Sequence, residues 1–215
     1  MPLTRKGAAT RQRIVEGAAE QIRAQGVFSL RLEDVMARTA TSKSQLFHYF
    51  PDGKDELLLA VARQEAARVI DDQQPELGSL TSWAAWYRWR DKVLARYREQ
   101  GVDCPLHVAL SEMGTATDAA RSVAGELLQV WQQRLTAGIR HMQNSGEIAP
   151  ERDAEREAAA LLAGIQGGVL ILLTTGRIAH LEAALDLGIA HMRSPDPRNR
   201  CHEPSGDNAR TSTAR

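Results

Sequence analysis

Apolar side chains recur along this chain at three- and four-residue steps, and nowhere do they alternate with polar ones over the length of a strand. The pattern predicts an all-α protein. Ile14, Ala18 and Ile22 repeat at i+4, with Thr10 placed to cap and Gly26 to close a first helix over 10–25. Leu32, Val35 and Met36 mark a second over 32–38. Ser42 and Gln45 stand at capping-box spacing, so a third begins at Lys43, and Pro51 stops it just past Phe50. Leu58, Val61, Ala62, Glu65 and Val69 share a stripe of a long helix over 53–72, for which Asp52 is the expected cap. After a loop at 73–79, further helices are expected over 80–100, 105–113, 118–143, 151–174 and 178–192. Residues 194–215, with three prolines and no apolar period, are expected to be a disordered tail.

The third helix is too short to be stable alone, so the second must hold it, across a turn at 39–41. Leu46 and Phe50 share its inner face, which leaves Lys43, Ser44, Gln45, His48 and Tyr49 outside. This is a helix-turn-helix with its second helix offered to a major groove. Lys43 suits guanine O6/N7 and Gln45 suits adenine N6/N7. Gln45 has two readings, because its capping role turns it back toward Ser42.

At these residues the chain resembles the DNA-binding domain of the tetracycline-repressor (TetR) family of bacterial regulators. The resemblance runs through Thr10, Arg11, Ile14, Val15, Ala18, Ala19 and Gly26, then Asp34, Val35, Ser42, Lys43, Leu46, Phe47, His48, Tyr49, Phe50, Lys54, Leu57 and Leu58. The chain departs from the family pattern at Ala40, where a glycine is usual, at Thr41 for valine and Gln21 for leucine, and in a link lengthened to Pro51-Asp52-Gly53. An L-residue in the glycine turn costs about 1–2 kcal/mol, so two readings stand at Ala40, the left-handed turn kept at that cost or a turn of another type. Cys104-Pro105-Leu106 resembles a subgroup that includes repressors of drug-efflux and flavonoid-responsive operons.

The resemblance implies an N-terminal three-helix DNA-binding domain and a C-terminal helical ligand-binding and dimerisation domain. The boundaries read from the pattern are 1–52, 53–193 and the tail 194–215. A ligand in the second domain would move the helix over 53–72 and spread the two heads. Arg31, Thr41, Ser42, Lys43, Ser44, Gln45, His48, Tyr49 and Lys54 are the candidate DNA-contacting residues. Lys54 stands at a helix N-terminus, where a phosphate would reverse the unfavourable local field. Arg5, Lys6, Arg11 and Arg13 read either as a frayed, solvated arm or as phosphate or minor-groove contacts.

Composition changes the picture in one respect. The net charge is zero, yet residues 1–50 carry eight Lys/Arg against four Asp/Glu, leaving the remainder at −4. A basic head on an acidic body suits DNA contact at one end. Cys104 and Cys201 form no CxxC pair, which excludes a zinc framework and fits a reducing cytoplasm. The basic first ten residues lack the apolar run of a signal peptide. The most apolar stretch, 158–173, holds three glycines and Gln166 and is short for a membrane span, so no membrane association is expected.

In the second domain Trp83, Trp86, Tyr87 and Arg90 fall near one side of the helix over 80–100. They read either as ordinary aromatic core or, with His107, Met113, Trp131 and Gln166, as the walls of a site for a small hydrophobic or aromatic inducer. Arg90 or His107 would then meet an acidic or phenolic group. Leu161, Gly164, Ile165, Gly168 and Leu172 mark a helix too apolar for a monomer's surface and are the expected homodimer interface. The HExxH, GxSxG, GxGxxG, P-loop and di-iron spacings are all missing, so no cofactor, metal or catalytic residue is expected. The function expected is a ligand-responsive repressor of double-stranded operator DNA. The competing reading is a helical-bundle enzyme or binding module with a vestigial head, and sequence-selective duplex binding separates the two.

Overall fold

The computed structural model describes residues 4–100 and 118–194, over which eight α-helices and no strand occur. The helices are α1 (Arg5–Gln25), α2 (Leu32–Thr39), α3 (Lys43–Tyr49), α4 (Lys54–Asp71), α5 (Trp83–Gln100), α6 (Asp118–Asn144), α7 (Ala154–Thr175) and α8 (Ala179–Arg193). The helix expected over 105–113 and the tail beyond Ser194 lie outside the described residues.

Two helix starts differ from expectation. Thr4, not Thr10, caps α1 by accepting the Gly7 amide at 3.2 Å, while the Thr10 hydroxyl bonds the Lys6 carbonyl at 3.0 Å as a threonine within a helix does. Asp52 does not cap α4 through its side chain. Its amide instead donates to Glu56 Oε2 at 3.2 Å, and Gly53, with φ +65°, occupies the cap position. That positive φ is one a glycine adopts freely.

α4 packs against α1 on one side and α6 on the other, so one continuous helix touches both the first helix and the body. In the body α7 lies between α6 and α8, and α5 packs on α8. Asp153 opens α7 by accepting the Glu155 and Arg156 amides at 3.1 and 3.2 Å, and Gly176 in the left-handed region closes it. α7 is long and apolar enough to cross a membrane; here α6 and α8 cover part of its apolar surface. Trp86, Trp89 and Trp131 are buried in the core, the first two edge to face with centroids 5.8 Å apart.

The α7–α8 contact corrects the expected dimer seam. A Cβ on Gly168 would stand 2.6 Å from Leu181 Cα, Gly164 faces Ala184, and Leu161 fills the space over Gly188. Ile165 and Leu172 are buried as well, so all five expected interface residues lie toward the interior of the protomer. Small residues sit there because α8 approaches too closely for larger ones. The open apolar positions are others: Ala160, Ala163, Gly167 and Leu170 on α7, and Ala183, Leu187 and Ala190 on α8. Both sets run at three- and four-residue steps, and Leu170 and Leu187 are 59% and 70% exposed.

Candidate nucleic-acid interface

The turn between α2 and α3 is built around Ala40, which adopts φ +47°, ψ +46°. The Thr41 amide reaches the Met36 carbonyl at 3.0 Å and the Ala40 amide turns to Ala37, the paired bonds of a Schellman motif. The departure from glycine has therefore left the left-handed turn in place and not replaced it with another type. The two flanking threonines face inward. Thr39 Oγ1 donates to the Val35 carbonyl at 2.7 Å, and Thr41 Oγ1, 2.9 Å from it, donates to the Thr39 carbonyl at 3.2 Å. Thr41 is 5% exposed, so it supports the turn and has no face for DNA. Only a glycine fits opposite: a Cβ on Gly17 of α1 would stand 2.3 Å from Thr39 Cγ2.

α3 begins on a complete capping box. Ser42 Oγ accepts the Gln45 amide at 3.2 Å and Gln45 Oε1 accepts the Ser42 amide at 3.1 Å. The capping reading of Gln45 is the one realised here: its oxygen is committed to the helix. Leu46 and Phe50 are fully buried, as their spacing predicts. Lys43, Ser44 and His48 are exposed on the outer side, and Tyr49, half-buried, sets its ring edge to face against His48 at 4.9 Å.

Around this helix, Arg31 is exposed at the N-cap of α2 and makes no side-chain capping bond. Lys54 sits half-buried in the first turn of α4, whose N-terminus likewise carries no side-chain cap. The Arg11 guanidinium covers the Phe50 ring at 5.0 Å, so this cation is engaged in the head's own packing. Gln21, buried where an apolar residue is usual, donates to Asp34 Oδ2 at 3.2 Å and ties α1 to α2.

One residue of consequence carried no signal beyond its place on the α4 stripe. Glu65 is wholly buried, and its Oε1 receives Arg23 of α1 and Arg68 of α4, each at 3.1 Å. The pair fixes the end of α1 to the helix that leads into the body. A charge at such a position on an otherwise apolar stripe is the only trace it leaves in sequence.

The expected ligand residues do not share one face. Trp86 points from α5 to α6, where a Cβ on Gly138 would meet its Cζ2 at 3.1 Å. Arg90 turns to α8 and is held fork to fork by Asp186, Nε to Oδ1 at 2.8 Å and Nη2 to Oδ2 at 2.9 Å, with Asp91 on Nη1. Those hydrogen bonds, Asp186 first, raise the guanidinium pKa above its ordinary value. Arg193 lies over the rings of Trp83 and Tyr87 at 5.4 and 5.9 Å and donates to Tyr87 Oη, while Trp83 Nε1 donates to Glu147. Trp131 of α6 is buried and Gln166 of α7 half-buried. His107 and Met113 lie outside the described residues. Among the described residues no cluster of three His, Cys, Asp or Glu side chains is placed to hold a metal.

Two family models match the chain: bacterial regulatory proteins of the tetR family over 14–61, and the tetracyclin repressor-like C-terminal domain over 83–187. The chain is 24% identical over 168 residues to the transcriptional regulator AcuR of Cereibacter sphaeroides, covering 74% of each. It superposes on a TetR-family regulator from Cytophaga hutchinsonii with a TM-score of 0.73 at 21% identity, over 91% of this chain and 100% of the other. The SmeT–triclosan complex aligns with a TM-score of 0.68 at 18% identity, over 87% and 93%. With a helix-turn-helix that buries Leu46 and Phe50 and displays Lys43, Ser44 and His48, and with both family models matched, the chain belongs to the TetR family and is a DNA-binding transcriptional regulator, not an enzyme.

Proposed function

We propose that this regulator is a cytoplasmic homodimeric repressor, released from a pseudo-palindromic operator by a small apolar ligand bound in its body. The observation that carries the DNA reading is the division of α3 into a buried side, Leu46 and Phe50, and an open side, Lys43, Ser44 and His48. Lys43 is the chief base reader and Ser44 a second, while Arg31, Tyr49, Lys54 and the N-terminus of α4 hold phosphates. Residues 1–52 act as the head and 53–193 as the body. The open stripes of α7 and α8 support a four-helix dimer, since small residues and two exposed leucines in register leave an apolar surface for a second copy. The buried tryptophans support a ligand site within the body, as does the bound triclosan of SmeT. His107 and Met113 are proposed to contribute to it. Selection of duplexes from a random pool by the purified protein tests this function. An enriched palindrome whose affinity falls steeply with salt is the expected outcome, and no enrichment over the pool would reject it.

A further inference from the structure

Three side-chain donors inside the body are fully enclosed and bonded to nothing: Trp86 Nε1, Trp131 Nε1 and Gln166 Nε2. Buried polar groups are almost always paired, and leaving one unpaired is costly. The three come from α5, α6 and α7, and the packing of these helices sets how far apart they fall along the body. Trp86 brings the nitrogen side of its indole to α6 at Gly138. Trp131 stands on that same face of α6, seven residues earlier, about 10 Å along the helix axis. Gln166 follows from the α6–α7 hairpin, whose register is set where Arg140 Nη2 meets Glu155 Oε1 at 2.9 Å. Eleven residues back along α6 and eleven on along α7 bring Gln129 level with Gln166, within a turn of Trp131.

The other polar groups of the body sharpen the requirement. Among the described residues of α5 to α8 the one further enclosed, unbonded side-chain atom is Arg152 Nε, also a donor, at the far end of the hairpin; the unbonded Gln64 Nε2 and Glu65 Oε2 of α4 belong to side chains that meet Gln12 and Arg23 of α1. Among the described residues, the two arginines of the body with the least exposed side chains are already engaged. Arg90 is held by Asp186 and Asp91, and the Arg152 charge is met by Glu157, with His191 and the Ser194 carbonyl also on its terminal nitrogens. A ligand entering this interior meets indole N–H groups and an amide NH₂ amid apolar walls.

Resting on the reading of the body as a ligand site, we infer that the ligand is an uncharged, largely apolar molecule bearing hydrogen-bond acceptors such as ester, ketone or ether oxygens, and not an acid or a phenolate. Trp86, Trp131 and Gln166 recognise those acceptors. Arg90, expected from sequence to meet an anionic group, is instead a structural tie between α5 and α8.

Equilibrium dialysis of the full-length protein against three matched probes tests the inference: methyl 2-naphthoate, 2-ethylnaphthalene and 2-naphthoate. The ester should bind roughly tenfold or more tighter than the hydrocarbon, which lacks the acceptor, and than the anion, which lacks a counter-charge. Trp131→Phe and Trp86→Phe remove a donor and keep a ring. Each should shrink the ester's advantage while hydrocarbon binding, the control for an intact fold, is retained. Equal binding of ester and hydrocarbon, tighter binding of the naphthoate, an unchanged ester advantage in both Phe variants, or no binding of any probe would each overturn the inference. Operator affinity is measured separately. Ester binding that leaves it unaltered supports the ligand class and removes the regulatory reading.

Discussion

Gly168 lies so close to Leu181 that a Cβ on it would stand 2.6 Å from the leucine Cα, whereas a Cβ on its neighbour Gly167 would meet nothing within 4 Å. Adjacent glycines on one helix thus answer to different packing. Gly168→Ala should destabilise the protomer by about 1–3 kcal/mol through overpacking. Leu170→Arg, on the side of Gly167, should leave the melting temperature near that of the wild type and turn the dimer into a monomer with weakened operator binding. Sedimentation and thermal melts check both, and a wild type that is monomeric at micromolar concentration would remove the second expectation.

Ala40 holds a left-handed conformation with a side chain present. Ala40→Gly should relieve about 1 kcal/mol of that cost and raise the melting temperature by about 2–4 °C. An unchanged or lower melting point would mean that the glycine's extra freedom in the unfolded chain offsets the relief.

Lys43→Ala should lose about 1–3 kcal/mol of operator affinity and relax preference at one position in each half-site. Gln45→Ala should behave differently: with the reciprocal bond to the Ser42 amide removed and the Ser42 cap kept, helix stability falls by about 0.5–1.5 kcal/mol and all duplexes weaken by the same factor. Binding profiles over a randomised operator distinguish them. A base preference that shifts in Gln45→Ala would show that this side chain also reads DNA.

Lys92 Nζ donates to Glu76 Oε2 at 2.6 Å, and that hydrogen bond holds the Glu76 carboxyl below the ordinary carboxylate range. A depressed carboxyl contributes stability above its unfolded pKa and loses it as pH falls through the folded value. Lys92→Met should therefore melt lower than wild type at pH 7, by about 3 °C or less for a partly exposed pair, and the gap should close below about pH 4. A gap that does not depend on pH would assign the loss to packing of the lysine stem.

What was legible in sequence was local. The α3 cap needs only Ser42 and Gln45, and the inward turn of Leu46 and Phe50 follows from their spacing, so both could be read without the rest of the chain. The phase of α7 could not. Being apolar nearly all round, it has no periodic signal to separate Gly164 and Gly168 from Ala160, Ala163 and Gly167, and the choice is made by Leu181, Ala184 and Gly188 of another helix. Arg90 met the same limit, since its partner Asp186 lies 96 residues on. Thr41 was among the expected DNA contacts, but the Schellman turn leaves it buried.

Because Gln45 commits its amide oxygen to its own helix, α3 is left with Lys43, Ser44 and His48 as exposed polar side chains outside the capping box. A half-site read by so few groups carries little information, too little to be singled out among the millions of competing sites in a genome. Two half-sites read together at one fixed separation multiply that information, and the separation is a property of how the copies are joined, not of any base contact. Much of the operator's address is then written in the spacing between protomers, far from the DNA. A ligand that alters this spacing erases the address while leaving each recognition helix intact.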